Sequence, residues 1–156
     1  MPLEIERKFL VRNETWRHLA PGVRYRQGYL CTSKDRTVRV RIAGDRGYLT
    51  IKGPTVGAAR SEYEYEIPVN DALTMLDKLC PQPQIDKIRY SIAYQGFVWE
   101  VDEFLGINLG LIVAEIELDH ADQTFAKPDW AGQEVTGDPR YYNSALCETP
   151  YSLWRS

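Results

Sequence analysis

The N-terminal segment Glu4-Ile5-Glu6-Arg7-Lys8 carries a charged side chain at every second position. Alternate side chains of a β-strand share a face, so Glu4, Glu6 and Lys8 would project together. Neighbouring carboxylates repel each other unless a positive group lies between them, and a divalent cation suits such a set of oxygen ligands. A strand with one face in water shows the same alternation, so this segment alone leaves both interpretations open.

The same alternation recurs along the chain, and each strand-like segment carries mainly one sign of charge. The acidic pairs are Glu4/Glu6, Glu62/Glu64, Glu100/Asp102 and Glu115/Glu117, and the basic pairs are Arg39/Arg41 and Lys87/Arg89, with Lys52 alone. A face in water usually mixes both signs with Thr, Ser and Gln. The opposite faces are apolar and aromatic, with Tyr63, Tyr65, Tyr90, Phe97 and Trp99. We therefore expect helices and loops to cover those faces, and the charged faces to line a polar interior.

Strand-like segments alternate with short turns over most of the chain. They cover residues 3–11, 24–32, 38–42, 48–52, 60–69, 85–94, 97–104 and 111–119, with turns at 44–47 and 95–96. Helices are expected at 13–19, capped by Asn13, at 70–79, capped by Asn70, and at 139–147, started by Asp138-Pro139. The pattern predicts an α+β, mainly β fold, in which about eight antiparallel strands could close into a barrel. Eight closed strands leave room for side chains or one small ligand.

Length and composition narrow the class of protein. The 156 residues predict one domain over 1–156, and a net charge of −3 argues against a nucleic-acid binder driven by bulk positive charge. No apolar run reaches the roughly 18–20 residues of a membrane span, and early acids at Glu4 and Glu6 argue against a signal peptide. Three widely spaced cysteines without a C-x-x-C pair indicate reduced thiols in a cytoplasm.

The two kinds of charged face suggest the chemistry of a ligand. Carboxylates alone suit a hard cation such as Mg²⁺ or Mn²⁺, whereas arginines and lysines suit phosphate oxygens. The segment Gly53-Pro54-Thr55-Val56-Gly57 lacks the Gly-Lys-Ser/Thr ending of a P-loop, so side chains would have to bind the phosphates. Acids and bases around one interior therefore predict a metal-bound chain of phosphates.

These motifs together resemble the CYTH, or triphosphate tunnel metalloenzyme, superfamily. Glu4-Ile5-Glu6-Arg7-Lys8 resembles its E-x-E-x-K signature, which is specific here because the later motifs follow it in order. Those motifs are Arg26-Gln27-Gly28-Tyr29-Leu30, Arg39-Val40-Arg41, Thr50-Ile51-Lys52, Arg60-Ser61-Glu62-Tyr63-Glu64, Lys87-Ile88-Arg89-Tyr90, Glu100-Val101-Asp102, Glu115-Ile116-Glu117 and the end segment Glu134-Val135-Thr136, Arg140-Tyr141 and Asn143. The resemblance spans Leu3 to about Leu146.

The resemblance implies a closed eight-stranded antiparallel β-barrel that forms a tunnel, with a few helices packed outside. It also implies divalent-metal-dependent triphosphate chemistry. Short bacterial members are typically inorganic tripolyphosphatases, so hydrolysis of tripolyphosphate to pyrophosphate and phosphate is the expected reaction. An adenylate cyclase of class IV type or a nucleoside or thiamine triphosphatase on the same barrel remains an alternative, as does a non-catalytic polyphosphate- or nucleotide-binding module.

Chemistry and resemblance together assign roles to the charged residues. One or two Mg²⁺ or Mn²⁺ ions would be held by Glu4, Glu6, Glu62, Glu64, Asp102, Glu115 and Glu117. The phosphate oxygens would be bound by Lys8, Arg39, Arg41, Lys52, Lys87, Arg89 and Arg140. Within these sets, the residues expected to act in catalysis are Glu4, Glu6, Lys8 and Lys87. The expected partner is a small-molecule triphosphate, without nucleic acid or membrane, and the sequence leaves the oligomeric state open.

Overall fold

Nine β-strands dominate the computed structural model, which describes residues 3–33 and 35–154; the remaining residues of the predicted 1–156 domain lie outside the described part. The strands are β1 (Leu3–Val11), β2 (Gly22–Cys31), β3 (Thr37–Ala43), β4 (Arg46–Lys52), β5 (Ala59–Ile67), β6 (Ile85–Tyr94), β7 (Phe97–Phe104), β8 (Ile112–Glu117) and β9 (Ala131–Glu134). The helices are α1 (Val69–Lys78), α2 (Asn143–Glu148) and 3₁₀ helices at Thr15–His18, Gly106–Asn108, Pro139–Tyr141 and Tyr151–Leu153.

Eight of the strands close into an antiparallel barrel, as the sequence predicts. The order is β5-β4-β3-β2-β6-β7-β8-β1, and β1 closes the ring by pairing with β5 from Leu3↔Ser61 to Ile5↔Ala59. The far end of the same β1 edge pairs with β9, through Phe9↔Glu134. β9 was not predicted, because the four residues Ala131–Glu134 carry no alternation of apolar and charged side chains.

Tight turns connect the neighbouring strands. Gln95 and Gly96 both have positive φ, 50° and 82°, as a two-residue turn between twisted strands requires. The predicted turn at residues 44–47 is shorter than expected, since β4 begins at Arg46. Gly47 lies in that strand beneath α1, where a Cβ would come within 2.9 Å of the Ala72 Cβ. This glycine therefore permits close packing of α1 against the barrel.

The main hydrophobic core lies outside the barrel wall. It packs outward-facing residues of β1, β6, β7 and β8 against the 3₁₀ helix near Trp16 and the segment leading to β9, and its buried members are Ile5, Phe9, Trp16, Ile92, Trp99, Val101, Ala114, Ile116, Leu118, Trp130 and Ala131. A second cluster packs α1 on β3 through Val40, Ala72, Leu76 and Cys80. Because the apolar faces point outward and are covered there, the charged faces point inward, as predicted.

The outer covering is incomplete over β4 and β5. Ile51, Tyr63 and Tyr65 have exposed fractions of 37%, 36% and 57%. The expectation that Tyr63 and Tyr65 would be covered is therefore wrong, since α1 follows β5 and packs against β3 and β4 instead. Trp99, on the opposite side of the barrel, is fully covered.

The helices differ in detail from the sequence prediction. Residues 13–19 form only a 3₁₀ helix, although the Asn13 Oδ1 does accept a hydrogen bond from the Thr15 amide. Asn70 lies inside α1 rather than capping it, because the helix already begins at Val69. The predicted helix at 139–147 is broken at Tyr142, whose extended backbone separates a 3₁₀ helix from α2. Among the described residues, no helix is both long and apolar enough to cross a bilayer.

α2 covers one end of the barrel. Its Leu146 is fully buried in a cluster with Ile85, Phe104 and Val113, which lie where β6 begins, β7 ends and β8 begins. These neighbouring antiparallel strands present their ends at the same edge of the sheet. The chain after β9 therefore places Asn143, at the start of α2, next to the interior of the barrel.

The packing of α1 predicts that substitutions of two leucines in this helix differ in their effect on the free energy of unfolding. Leu76 is fully buried and Leu73 is 39% exposed. Leu76→Ala should lower the free energy of unfolding by about 2–5 kcal/mol, because it leaves a cavity against β3. Leu73→Ala, the matched control, should change it by less than about 1 kcal/mol. Urea unfolding of both variants measures this, and equal losses would contradict the packing of α1.

Candidate active site

The charged strand faces meet in one cavity inside the barrel, with a volume of about 240 Å³. All predicted site residues except Asp102 and Arg140 line it. These lining residues are Glu4, Glu6, Lys8, Arg39, Arg41, Lys52, Glu62, Glu64, Lys87, Arg89, Glu115 and Glu117. The fold thus brings these side chains from six different strands to one cavity, although they are spread over most of the sequence.

The wall of the cavity is divided by charge into two halves. The consecutive strands β4, β3, β2 and β6 supply a basic half, with Lys52, Arg39, Arg41, Lys87 and Arg89. The consecutive strands β7, β8, β1 and β5 supply an acidic half, with Glu100, Glu115, Glu117, Glu4, Glu6, Glu62 and Glu64, among which Lys8 and Arg60 are the cations. The basic half would attract a polyanion, and the acidic half would attract the cations bound to it.

Lys8 is the central cation of the acidic half. Its Nζ lies 3.7 Å from Glu6 Oε1 and 3.6 Å from Glu115 Oε1. Burial alone would lower the pKa of Lys8, but the carboxylates of Glu115 and Glu6 raise it. Burial, and then the charge of Glu115, raise the pKa of Glu6 well above its ordinary value. Negative charge is therefore crowded here beyond what one lysine neutralises.

Lys52, at the edge of the basic half, links two carboxylates of the acidic half where the barrel closes. Its Nζ lies 3.1 Å from Glu4 Oε1 on β1 and 3.3 Å from Glu62 Oε2 on β5. Burial, followed by the charges of Glu4 and Glu62, raises the pKa of nearby Glu117. The carboxylates at this junction therefore outnumber the cation that serves them.

The two arginines of β3 donate to the same carboxylate, and one nitrogen of each is left without a hydrogen bond. Glu64 Oε1 accepts hydrogen bonds from Arg41 Nη2 at 3.0 Å, Arg39 Nη2 at 3.4 Å and Thr50 Oγ1 at 2.8 Å. The Nε atoms of Arg39 and Arg41 are buried without a hydrogen-bond partner. Burial, assisted by the charges of Arg39 and Arg89, lowers the pKa of Arg41 to about 10. An anionic ligand in the cavity would relieve the repulsion among these cations.

Asp102 is a buried counter-ion beneath the basic half. Its Oδ1 lies 2.7 Å from Arg89 Nε, and its Oδ2 lies 2.8 Å from Lys87 Nζ and 2.9 Å from Arg89 Nη2. Burial lowers the pKa of Lys87 to about 7, although Asp102 opposes this shift. Both carboxylate oxygens are thus engaged by cations, and Asp102 does not line the cavity, so the structure does not place it among the metal-ligand candidates.

The sequence profile of the CYTH domain family matches residues 2–142. The chain belongs to the CYTH family. It is 56% identical over 155 residues to an inorganic triphosphatase of Acetivibrio thermocellus, covering 99% of each chain. It is 39% identical over 152 residues to an inorganic triphosphatase of Nitrosomonas europaea, covering 92% of this chain and 95% of the relative. The crystal structure of an inorganic triphosphatase superposes with a TM-score of 0.64 at 35% identity, covering 94% of this chain and 95% of that one.

CYTH membership implies a divalent metal, and the donor set fits one. Within residues 3–33 and 35–154, no three His, Cys, Asp or Glu side chains already converge on a single point. Glu6 and Glu117 nevertheless lie directly opposite each other in the β1–β8 register, and Glu115 lies opposite Lys8 two positions away. Opposed side chains of antiparallel strands start about 4.5–5.5 Å apart. That range refers to the Cβ atoms, and carboxylates on side chains that start so close can reach one hard cation.

Several lining residues of this CYTH barrel were not among the predicted site residues. Arg60 lines the cavity and donates to the Gly53 carbonyl at 3.1 Å and to Thr37 Oγ1 at 3.3 Å. It lies two residues before Glu62 on the same strand face, so the alternation could have identified it. The segment after β9 contributes Thr136, Gly137, Tyr142, Asn143 and Ser144. No alternation signals these residues, because they lie outside the barrel strands.

Arg140 lies apart from the cavity. Its side chain is 62% exposed and pairs with Asp138 at 2.8 Å. The guanidinium Cζ also lies 5.4 Å from the ring centre of Tyr141 and 5.2 Å from that of Trp154. The structure therefore places Arg140 with the C-terminal aromatic side chains, away from the other predicted phosphate-binding residues.

The buried position of Asp102 predicts a large effect on stability. Asp102→Asn should lower the free energy of unfolding by about 3–5 kcal/mol, because Arg89 and Lys87 would lose their counter-charge in the interior. Glu100→Gln is the matched control on the same strand. The Glu100 side chain is 36% exposed, and its contact with Arg89 Nη1 is longer, at 3.4 Å. This substitution should cost less than about 1 kcal/mol. Equal unfolding midpoints in urea for the wild type and Asp102→Asn would exclude the counter-ion role.

Proposed function

We propose that the chain hydrolyses inorganic tripolyphosphate to pyrophosphate and phosphate with Mg²⁺ or Mn²⁺ inside the barrel. The observation that carries the proposal is the division of one cavity inside the barrel into a basic half and an acidic half. A bare anion needs bases but not many acids, whereas a metal-bound phosphate chain needs both. The names of the two relatives and of the superposed structure agree with this substrate.

The proposed metal site lies on the acidic half. Glu4, Glu6, Glu62, Glu115 and Glu117 would hold one or two ions, since these carboxylates line the cavity on β1, β5 and β8. A divalent cation, when bound, would offset the charge of phosphate oxygens and lower the pKa of a coordinated water. Glu64 would act on the basic half instead, because Arg39, Arg41 and Thr50 already donate to it.

The proposed phosphate site lies on the basic half. Arg39, Arg41, Lys52, Lys87 and Arg89 would bind the phosphate oxygens. In hydrolysis the oxygen of a water forms a bond to the terminal phosphorus, the bond from that phosphorus to the bridging oxygen breaks, pyrophosphate leaves, and the proton lost by the water passes to solvent. The bases would stabilise the negative charge that moves onto the leaving group. Lys8, which lies in the acidic half, would balance the charge of Glu6 and Glu115 beside the reacting phosphate.

The proposed setting is a single-domain protein of the cytoplasm that acts on a small molecule. Cys31, Cys80 and Cys147 are all free thiols, which agrees with a reducing compartment. A net charge of −3 agrees with a substrate other than bulk nucleic acid.

A substrate panel tests the proposed reaction. The purified chain is incubated with tripolyphosphate, ATP, thiamine triphosphate or pyrophosphate, in Mg²⁺, Mn²⁺ or EDTA, while phosphate and cyclic AMP are measured. We expect the fastest phosphate release from tripolyphosphate, and none in EDTA. Cyclic AMP without phosphate release would instead indicate a cyclase. Binding of the substrates without turnover would indicate a binding module.

Removing one cavity carboxylate should abolish most of the turnover without unfolding the barrel. Glu6→Gln and Glu117→Gln should each lower kcat by about 10²–10³-fold, on the scale of other preorganised charged groups. Glu66→Gln is the matched control, because Glu66 is exposed on β5 and pairs with Arg46 outside the cavity. Initial rates with tripolyphosphate measure the effect, and near-normal metal-dependent turnover of Glu117→Gln would reject its assignment.

A further inference from the structure

β2 lies between the two most basic strands, yet its inner face is uncharged. β3 pairs with one of its edges and β6 with the other. The side chains on the inward face of β2 are Val23, Tyr25, Gln27 and Tyr29, since they lie opposite inward residues of β6 and β3. In register, Tyr25 lies opposite Lys87 of β6, and Gln27 lies opposite Arg41 of β3. A neutral strand therefore separates cations that come from both sides.

The ring of Tyr25 is shared by three of those cations. The Arg89 Cζ lies 4.9 Å from its centre, the Arg41 Cζ 5.1 Å and the Lys87 Nζ 5.9 Å. All three distances fall within the range of about 6 Å in which a ring face attracts a cation. The face of one tyrosine thus offsets part of the repulsion among cations of β3 and β6.

Arg41 and Arg89 depend on this ring to different degrees. Arg89 is fixed independently, because two of its nitrogens donate to Asp102 at 2.7 and 2.9 Å. Among residues 3–33 and 35–154, Arg41 has one ion pair, with Glu64 at 3.0 Å on the side away from β2, and its buried Nε has no hydrogen-bond partner. On the side toward β2, the Arg41 guanidinium instead lies against the face of Tyr25.

We propose that Tyr25 is a positioning residue, whose ring holds the Arg41 guanidinium beside that of Arg89 so that both address the same phosphate group. This inference rests on the proposed function, in which Arg41 and Arg89 bind phosphate oxygens. Tyr25 itself does not line the cavity, so it acts through the arginines. Tyr48 also faces Arg41, but at 5.7 Å and without a second cation on its ring.

The test compares Tyr25→Leu with Tyr25→Phe, which keeps the ring. Tyr25→Leu should raise the KM for tripolyphosphate about tenfold and leave kcat near the wild-type value, whereas Tyr25→Phe should behave like the wild type. A residue that only fills space would change the melting temperature without this split between KM and kcat. Tyr65→Leu, on the exposed outer face of β5, is the control for loss of a tyrosine. If Tyr25→Leu does not fold, Tyr25→Met provides an unbranched, non-aromatic replacement.

A double-mutant cycle shows whether the effect passes through Arg41. Tyr25→Leu should weaken tripolyphosphate binding in the wild type but much less in Arg41→Ala, because the group that it positions is then absent. An unchanged KM in Tyr25→Leu, equal losses in Tyr25→Phe and Tyr25→Leu, or equal effects in both backgrounds would overturn the proposal.

Calorimetric titration of metal-free protein with tripolyphosphate separates this proposal from the proposed function. If the wild type binds tripolyphosphate but never hydrolyses it, the hydrolase assignment fails, while the binding constants of the Tyr25 variants still decide the positioning role. If the wild type does not bind tripolyphosphate with or without Mg²⁺, both proposals fail.

Discussion

Pairing of buried acids with buried bases is the condition under which this barrel can close. Ionised groups lose their hydration in the interior, and they are tolerated there only with a counter-charge and hydrogen bonds. Asp102 meets this condition for Lys87 and Arg89. Lys8 meets it only in part for Glu6 and Glu115, because its Nζ supplies a counter-charge at 3.7 and 3.6 Å, beyond hydrogen-bonding distance. The pairing is incomplete, because carboxylates are in excess on one side of the cavity and the cations Arg39, Arg41 and Arg89 repel one another on the other, so a bound metal and a bound anion would each add a counter-charge.

Because the interior is charged, the apolar contacts that stabilise the barrel lie on the outside of its wall. The barrel cannot use its lumen as a core, so apolar side chains such as Trp99 and Ile116 point outward and are buried beneath the connecting segments. α1 provides the same cover over β3. This separation allows the lining to be selected for chemistry while the outer layer supplies most of the buried apolar area.

Much of the barrel and its lining could be predicted because a strand has a period of two residues. The period assigns Glu4, Glu6 and Lys8 to one face and shows that the opposite face is apolar. The period does not indicate how deeply a side chain is buried, so it could not show that Asp102 lies beneath the surface of the cavity. Nor does it extend to irregular segments, and Thr136 and Asn143 reach the cavity through tertiary packing alone. The position of Arg140 depends on the break at Tyr142, which the predicted continuous helix omitted.

The join between β1 and β5 has a consequence for how the molecule responds to its ligand. Within the described residues it is short, running from Leu3↔Ser61 to Ile5↔Ala59, whereas β4 and β5 pair over six positions from Gly47↔Ile67 to Lys52↔Glu62. Glu4 and Glu62 stand on the two sides of this join, and Lys52 already connects them. Any cation that binds both carboxylates adds a cross-link at this join, which has the fewest paired positions of the barrel among the described residues. Binding of a cation in the cavity and pairing of β1 with β5 are therefore thermodynamically linked: binding stabilises the join, and a closed join favours binding.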